Sequence, residues 1–187
     1  MSRAYLAVLA IAAAAVFIFT QSSVNAADNL LLNPGFESGT DITADNWNGW
    51  GGVERLNEFK HGGDWCLHDW AADGTDNRGA YQDVKVTPGT KLVFTGYVMV
   101  PNESGMHKSP LVGGAQGFLE IEWFQGETKL DSIKSESVTG ATDWKQLSVS
   151  GTVPVGADMA RFVVKVTSVG GSSGDAYFDD LEVTQDQ

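Results

Sequence analysis

Short runs of alternating apolar and polar residues follow one another along most of the chain, and they predict β-strands. In the clearest run, Gly117–Gln125, the side chains of Leu119, Ile121 and Trp123 fall on one side of an extended backbone. Glycine, proline or aspartate bounds each run, as is usual at strand ends. No window shows the 3.6-residue period of an amphipathic helix. The other strong runs are Ala80–Val86, Lys91–Val100, Trp144–Val153, Met159–Thr167 and Ala176–Thr184.

The number and spacing of these runs predict an all-β fold. Roughly nine or ten strands with turn signals between them are typical of an antiparallel β-sandwich. The longest segment without a strand pattern is Asn102–Gly117, which is rich in glycine, serine and proline. Because it lies between two strong strands, we interpret it as an exposed loop of one domain and not as a linker.

The first residues have the pattern of a cleavable secretory signal peptide. Arg3 precedes the apolar run Tyr5–Phe19, and small residues follow at Ser23–Ala26. The run of about 15 residues is shorter than the roughly 20 that span a bilayer. We therefore predict that residues 1–26 are removed and that residues 27–187 form a single secreted or periplasmic domain, without membrane insertion.

The charge and cysteine content narrow the possible partners and the source of stability. A net charge of −12 argues against nucleic acid and anionic membranes as partners. Cys66 is the only cysteine in the sequence, so an internal disulfide is impossible and stability must come from core packing or a metal. His61, Cys66 and His68 match no standard zinc spacing, and a buried thiol beside a surface imidazole is the simpler interpretation. We expect a monomer.

The polar side of the central strands is the candidate binding surface. Alternation places Glu120 and Glu122 on this side of one strand, and Arg161 and Lys165 on this side of another. Tyr97 is on the corresponding side of a third strand. Flat aromatic rings beside convergent polar groups suit a hydroxyl-rich ligand such as a sugar. The alternative is an ordinary solvated sheet face.

Two further residues are candidate sugar contacts. Trp70 lies in the polar, turn-rich stretch HDWAADGTDNRG, where nothing predicts burial, so its ring could serve as a stacking surface. Gln82 could either bond sugar hydroxyls or brace the edge of the core. Among the other tryptophans, we expect Trp123 and Trp144 in the core and a structural role for Trp50.

Six motifs in order carry a resemblance to a known family. They are NLLLNPGFESG, WNGWG, HGGDWCL, YQDVKVTPGTKLVFTGYV, ATDWKQLSVSGTVPVGA and YFDDLEV, and together they extend from Asn29 to Thr184. This series resembles carbohydrate-binding modules of the CenC-like type, which are galactose-binding-domain-like β-sandwiches. The resemblance implies a jelly-roll sandwich that binds a polysaccharide, such as a glucan or xylan, without catalysis.

The resemblance also implies a structural calcium ion that ties the first strand to the last. Glu37, directly after Phe36, and Asp179, the first of an Asp pair, would be its ligands. Strand parity with Tyr177 and Leu181 predicts that Asp179 points toward the apolar layer, where an uncompensated carboxylate is costly. Calcium takes oxygen ligands of this kind. The alternatives are that Asp179 accepts backbone N–H bonds or that both acids are solvated at strand ends.

Two other functions compete with carbohydrate binding. The same fold could serve an extracellular structural or adhesion protein. A small polysaccharide hydrolase or lyase is the third hypothesis, because Glu120 and Glu122 would lie roughly 6–7 Å apart, a separation that glycosidases use. The E-x-D-x-x-E pattern of jelly-roll glycosidases is absent, since the strand lacks a third acid.

Overall fold

The computed structural model describes residues 28–71 and 77–186, and the predicted signal peptide lies outside them. The described part of the chain contains no helix long and apolar enough to cross a membrane. Twelve strands are found in it. They are β1 (Gly39–Thr40), β2 (Thr43–Ala44), β3 (Asn48–Trp50), β4 (Glu54–Leu56), β5 (Cys66–Ala71), β6 (Asn77–Lys85), β7 (Lys91–Val100), β8 (Gln116–Gln125), β9 (Thr128–Lys134), β10 (Thr142–Thr152), β11 (Met159–Thr167) and β12 (Gly174–Asp186).

Ten of these strands form two antiparallel five-stranded sheets. Sheet I has the order β10–β7–β12–β5–β4, and sheet II has the order β3–β6–β11–β8–β9. The remaining pair, β1 and β2, forms a short hairpin. The predicted all-β sandwich is confirmed, and β7 and β11 have the predicted bounds. The expected nine or ten strands were too few because β1 to β4 are too short to show alternation.

The core lies between the two sheets and is built by the alternation that the sequence shows. Leu119, Ile121 and Trp123 of β8 point into it, as predicted, and Trp123 is 4% exposed. The rings of Phe94 in sheet I and Phe162 in sheet II meet edge to face, with centroids 5.4 Å apart. Burial of apolar surface, worth about 25 cal/mol per Å², holds the sheets together in the absence of a disulfide.

The carboxylate of Asp69 lies inside the core, whereas the sequence pattern indicated that of Asp179. Asp69 of β5 is fully buried, and its two oxygens accept the N–H groups of Trp70 (2.8 Å) and Val166 (2.9 Å). Because Val166 belongs to β11, this side chain joins sheet I to sheet II. Desolvation raises the pKa of Asp69 to about 8.

The last strand exchanges its inward and outward positions at a β-bulge. Phe178 faces the core, and Asp179 faces outward from sheet I. Asp180 has a φ of 46°, and after this extra residue Leu181 again faces the core. The prediction that Asp179 points toward the apolar layer is therefore wrong. Asp179 is fully buried, but it lies on the outer side of sheet I beneath the 61–65 turn.

Candidate functional site

The outer face of sheet II brings together four of the predicted binding residues. In the β8–β11 register, Glu122 lies opposite Arg161 and Glu120 lies opposite Val163, two residues before Lys165. Side chains directly opposite each other on antiparallel strands share a face. The predicted grouping of Glu120, Glu122, Arg161 and Lys165 is thus the arrangement found in the structure.

Ion pairs hold the acids of this face in place. The Lys129 ammonium lies 2.6 Å from Glu122 and 3.7 Å from Glu120, and Lys165 lies 3.6 Å from the other oxygen of Glu120. The Glu120 and Glu122 side chains are 12% and 15% exposed. Their oxygens are therefore fixed in direction before a ligand arrives, which lowers the entropy cost of binding.

Arg161 is fixed in a similar way. Its Nε and one of its terminal nitrogens donate to the two oxygens of Asp83 at 2.8 and 3.0 Å, and this hydrogen bonding raises the pKa of the guanidinium. The guanidinium carbon lies 3.8 Å from the ring centroid of Tyr81 and 4.9 Å from that of Phe124. Arg161 therefore covers aromatic surface while the edge of its plane remains available to a ligand.

A cleft of about 270 Å³ opens between these groups, and we call it the aromatic cleft. Trp50 supplies its wall: the ring lies over Gly79, where a Cβ would come 2.5 Å from a ring carbon. The centroids of Trp50 and Tyr81 are 6.1 Å apart at 50°. The lining residues are Trp50, Tyr81, Glu122, Arg161, Val163 and Lys165.

Neither aromatic residue of this cleft was recognised from the sequence. Trp50 was expected to be structural, and Tyr81 drew no attention within its strand. The available signal was the short NGW run, which forms strand β3 beside β6. Because β3 has only three residues, alternation could not show which way Trp50 points.

Tyr97 does not belong to this face. It lies on the outer side of sheet I, opposite Asp179 in the strand register, and its ring stacks on His61 with centroids 3.7 Å apart. The alternation of β7 was predicted correctly. The grouping was wrong because β7 pairs with β10 and β12, whereas β8 pairs with β9 and β11.

Trp70 lies in a strand and not in a loop. As part of β5 it is half-buried, with its ring stacked against His68 at 5.3 Å and the guanidinium of Arg78 at 4.6 Å. It lines a different cleft, of about 400 Å³, on the outer side of sheet I. The expectation that nothing buries Trp70 is therefore wrong, because neighbouring rings and Arg78 cover it.

Gln82 is a brace, the second of the two roles considered for it. Its Oε1 accepts the Leu32 N–H at 2.7 Å, and its Nε2 donates to the carbonyls of Leu32 (2.9 Å) and Asn46 (3.2 Å). It lies opposite Phe162 in the sheet register and is 7% exposed. The carboxamide thus holds the N-terminal segment against sheet II and lies outside the aromatic cleft.

The two predicted calcium ligands, Glu37 and Asp179, both accept hydrogen bonds from the turn of residues 61–65. Asp179 Oδ2 accepts the N–H groups of His61 (2.8 Å) and Gly62 (3.1 Å), and its Oδ1 accepts that of Asp180 (2.7 Å). Burial raises the pKa of Asp179 to about 6. The backbone N–H bonds considered as an alternative are therefore present.

Glu37 completes this arrangement. Its carboxylate accepts the N–H groups of Asp64 (3.1 Å) and Trp65 (3.2 Å), and a Cβ on Gly63 would collide with it. Glu37 and Asp179 thus approach the same turn, and carboxylate oxygens of this kind are ligands that calcium takes. Calcium itself stays a prediction.

The three residues considered for zinc do not converge. The Cys66 thiol donates to the carbonyl of Glu58 at 2.9 Å, and burial raises its pKa. His61 Nδ1 lies 2.6 Å from Asp180 on the other side of the turn. The buried thiol is confirmed, but His68 is fully buried and not the surface imidazole expected.

A third and larger cleft also lies on the outer side of sheet I. Its volume is about 820 Å³, and Phe59, Met99 and Trp144 supply its apolar surface. Trp144 was expected in the core; it is half-buried and meets the His61 ring edge to face at 5.4 Å. The cleft has polar groups along the 102–103 and 142–143 segments, and Glu103 lies 3.9 Å from the Lys108 ammonium.

Solved structures with this fold include several carbohydrate-binding modules. The chain superposes on TmCBM61, solved with β-1,4-galactotriose, with 19% identity and a TM-score of 0.57, covering 85% of this chain and 99% of the module. A family 16 carbohydrate-binding module superposes with 21% identity and a TM-score of 0.59, covering 83% of this chain and 99% of the module. The CBM22-1 xylan-binding domain of Paenibacillus barcinonensis Xyn10C superposes with 18% identity and a TM-score of 0.60, covering 86% of this chain and 96% of the domain. The predicted resemblance to carbohydrate-binding modules is confirmed at the level of the fold.

The fold alone does not restrict the chain to sugar binding. A cyclase from Fischerella sp. TAU has the same fold, with 15% identity, a TM-score of 0.61 and coverage of 86% of this chain and 98% of the enzyme. No protein-family model matches the sequence. No curated protein matches it either. The function must therefore be argued from the residues of the site.

Proposed function

We propose that the protein is a secreted, non-catalytic carbohydrate-binding protein and that the aromatic cleft is its binding site. The observation that carries the proposal is the position of the Trp50 ring beside the fixed polar groups of Glu122, Arg161 and Lys165. An aromatic wall binds the C–H surface of a sugar, while oriented acceptors and donors bond its hydroxyls. A few convergent polar groups on an apolar surface are characteristic of small-molecule sites.

The dimensions of the face favour an extended ligand. The aromatic cleft has a volume of about 270 Å³, enough for only a small part of a polymer. The face continues across all five strands of sheet II, from Trp50 on β3 to Lys129 on β9, and four inter-strand spacings of about 4.8 Å give roughly 19 Å. A chain of several sugars laid across the strands would use this length.

The charges of the face favour a neutral ligand. The whole chain has a net charge of −12, yet three acids of this face each have a cation as partner, and a further cation, Lys134, lies over the Phe118 ring. Acids that are each paired with a cation can bond hydroxyl groups without attracting a polycation, and the net negative charge of the chain repels a polyanion. The pairs are Lys129–Glu122, Lys165–Glu120 and Arg161–Asp83.

The same ion pairs disfavour the hydrolase alternative. A glycosidase needs two carboxyl groups that are free to act on the scissile bond from either side. Lys129 contacts both Glu120 and Glu122, and Lys165 is a second cation beside Glu120. Both acids are better suited to accept hydrogen bonds from a ligand.

Depletion of the protein from solution by a panel of soluble and insoluble polysaccharides tests this function. We expect retention by a neutral glucan, xylan or galactan, loss of retention in Trp50→Ala, and no effect of Trp144→Ala, which alters the largest cleft on sheet I. Retention lost only in Trp144→Ala would move the site to sheet I. An absence of binding to the whole panel would favour the adhesion hypothesis, and reducing-sugar release that disappears in Glu120→Gln would favour the hydrolase.

We also propose that calcium binds between Glu37, Asp179 and the 61–65 turn. The support is the approach of two carboxylates to one turn, one of them fully buried. Bound calcium would neutralise the charge of the two carboxylates, which the backbone N–H groups compensate only in part. Chelation by EDTA should lower the melting temperature, and added calcium should restore it. An unchanged melting temperature would show that the turn is held by hydrogen bonds alone.

A further inference from the structure

Two histidines and a glutamate converge on the outer side of sheet I, away from the aromatic cleft and from the 61–65 turn. Glu54 of β4 lies directly opposite His68 of β5 in the strand register, and His107 approaches both from the segment between β7 and β8. Glu54 Oε2 is 3.8 Å from His68 Nδ1 and 3.8 Å from His107 Nε2. These three atoms all lie within 4.8 Å of one another.

One ring nitrogen of His68, Nδ1, points into this cluster without a hydrogen-bond partner among the described residues. Asp175 Oδ1 lies 2.9 Å from His68 Nε2, and its other oxygen accepts the Ser109 N–H at 2.8 Å. Because a carboxylate only accepts hydrogen bonds, Nε2 carries a proton, and in the neutral imidazole Nδ1 then presents a lone pair. His68 is fully buried, and its Nδ1 has no hydrogen-bond partner among the described residues. Buried polar atoms in folded proteins nearly always have a partner.

The spacing of the cluster fits a metal ion better than hydrogen bonds. A separation of 3.8 Å is too long for a hydrogen bond between nitrogen and oxygen. Ligands at about 2.1 Å from a tetrahedral zinc ion lie roughly 3.4 Å from one another, so small side-chain movements would close the site. Asp175 would orient His68 through its Nε2–H, which is the usual partner arrangement of a metal-bound histidine.

We propose that Glu54 Oε2, His68 Nδ1 and His107 Nε2 bind a divalent transition-metal ion, with zinc as the best match. Two imidazoles and one carboxylate form a known zinc donor set, whereas calcium prefers oxygen ligands only. The ion can reach the site from solvent, because the side chains of Glu54 and His107 are 25% and 31% exposed. Bound metal would fasten the segment that contains His107 to the edge of sheet I. This proposal does not depend on carbohydrate binding.

Calorimetric titration of the intact, metal-free protein with zinc chloride tests the site. Excess calcium is kept in the buffer so that the Glu37 and Asp179 region does not contribute. We expect one zinc ion per chain and a rise in melting temperature that a zinc-selective chelator reverses. Cobalt(II) should give the intense visible absorption of a tetrahedral site, and this band should depend on His107.

The variants separate this site from unspecific binding. Glu54→Gln keeps the shape of the side chain, and His107→Asn suits the φ of 63° at that position. Each should weaken zinc binding by tenfold or more, while His61→Gln, which alters a histidine outside the cluster, should bind as the wild type does. A lack of saturable one-to-one binding overturns the proposal and leaves an ion-pair cluster only. Full binding in both cluster variants, or equal loss in His61→Gln, overturns it as well.

Discussion

The outer faces of the two sheets differ in what covers them. On sheet I, the 58–65 segment and the residues around His107 cover the strands. The side chains of Cys66, His68 and Tyr177 are therefore fully buried. The Tyr177 hydroxyl donates to the His107 carbonyl at 2.7 Å, which fastens this cover. On sheet II no comparable segment among residues 28–71 and 77–186 covers the strands, and the side chains of Arg161 and Lys165 are 26% and 21% exposed.

This difference explains why similar residues have different roles on the two sheets. Carboxylates on the covered face, such as Asp175 and Asp179, bond backbone N–H groups and a histidine, and they fix connecting segments in place. Carboxylates on the open face, such as Glu122, pair with cations and still face solvent. In this sandwich the connecting segments determine which sheet face stays open to solvent.

The largest expected effect is on the covered face. Asp179→Ala leaves three backbone N–H groups without their acceptor, and each loss costs about 1–3 kcal/mol. We expect a loss of about 3 kcal/mol or more, which lowers the melting temperature by roughly 6–12 °C in a domain of this size. Thermal unfolding followed by circular dichroism measures the change.

Asp180→Asn is the matched control for this experiment. Asp180 is exposed, asparagine tolerates its φ of 46°, and an amide can still hydrogen-bond to His61 Nδ1. Its melting temperature should stay close to that of the wild type. If the two variants lose the same stability, the hydrogen bonds of Asp179 are not what holds the turn. Repetition in calcium and in EDTA separates the contribution of a metal ion from that of the N–H groups.

On the open face, Trp50→Ala should weaken glycan binding with little effect on stability. Loss of a central aromatic contact costs about 2 kcal/mol, or roughly a thirtyfold increase in Kd. Affinity electrophoresis or calorimetry with the glycan identified by depletion measures this. Trp144→Ala provides the control on the covered face. Equal affinities in Trp50→Ala and the wild type would exclude the aromatic cleft.

Between the sheets, Asp69 should make stability depend on pH. Its pKa is raised to about 8 in the folded protein from about 4 in the unfolded chain, so the folded state holds one more proton between these values. Stability should therefore fall as the pH rises from about 4 to 8, by at most about 1.4 kcal/mol per pH unit from this group. Asp69→Asn should flatten the slope in urea denaturation. An unchanged slope would show that Asp69 ionises normally in the fold.

The smallest effect concerns Tyr97, which separates the two faces most directly. Tyr97→Ala removes the stacking on His61, and such aromatic pairs contribute about 0.5–1.5 kcal/mol. We expect a small loss of stability and an unchanged glycan affinity. A loss of affinity comparable with that of Trp50→Ala would instead place sugar contacts on sheet I.

The sequence by itself predicted the class of fold and much of the polar face. Alternation gave the bounds of β7 and β11, the inward side of β8, and the grouping of Glu120 and Glu122 with Arg161 and Lys165. These features depend on a period of two residues along one strand, which is a local property of an extended backbone. The order of motifs gave the resemblance to carbohydrate-binding modules, which the fold confirms.

The tertiary structure decided which strands share a sheet and what covers each face. Tyr97 and Glu120 have similar patterns, but strand pairing places them on opposite sides of the molecule. A bulge at Asp180 separates Asp179, which faces outward, from Leu181, which faces the core. The cluster around His68 is completed by Glu54 and His107, which are 14 and 39 positions away along the chain. Pairing between distant strands depends on the packing of the whole sandwich, so no local pattern could predict it.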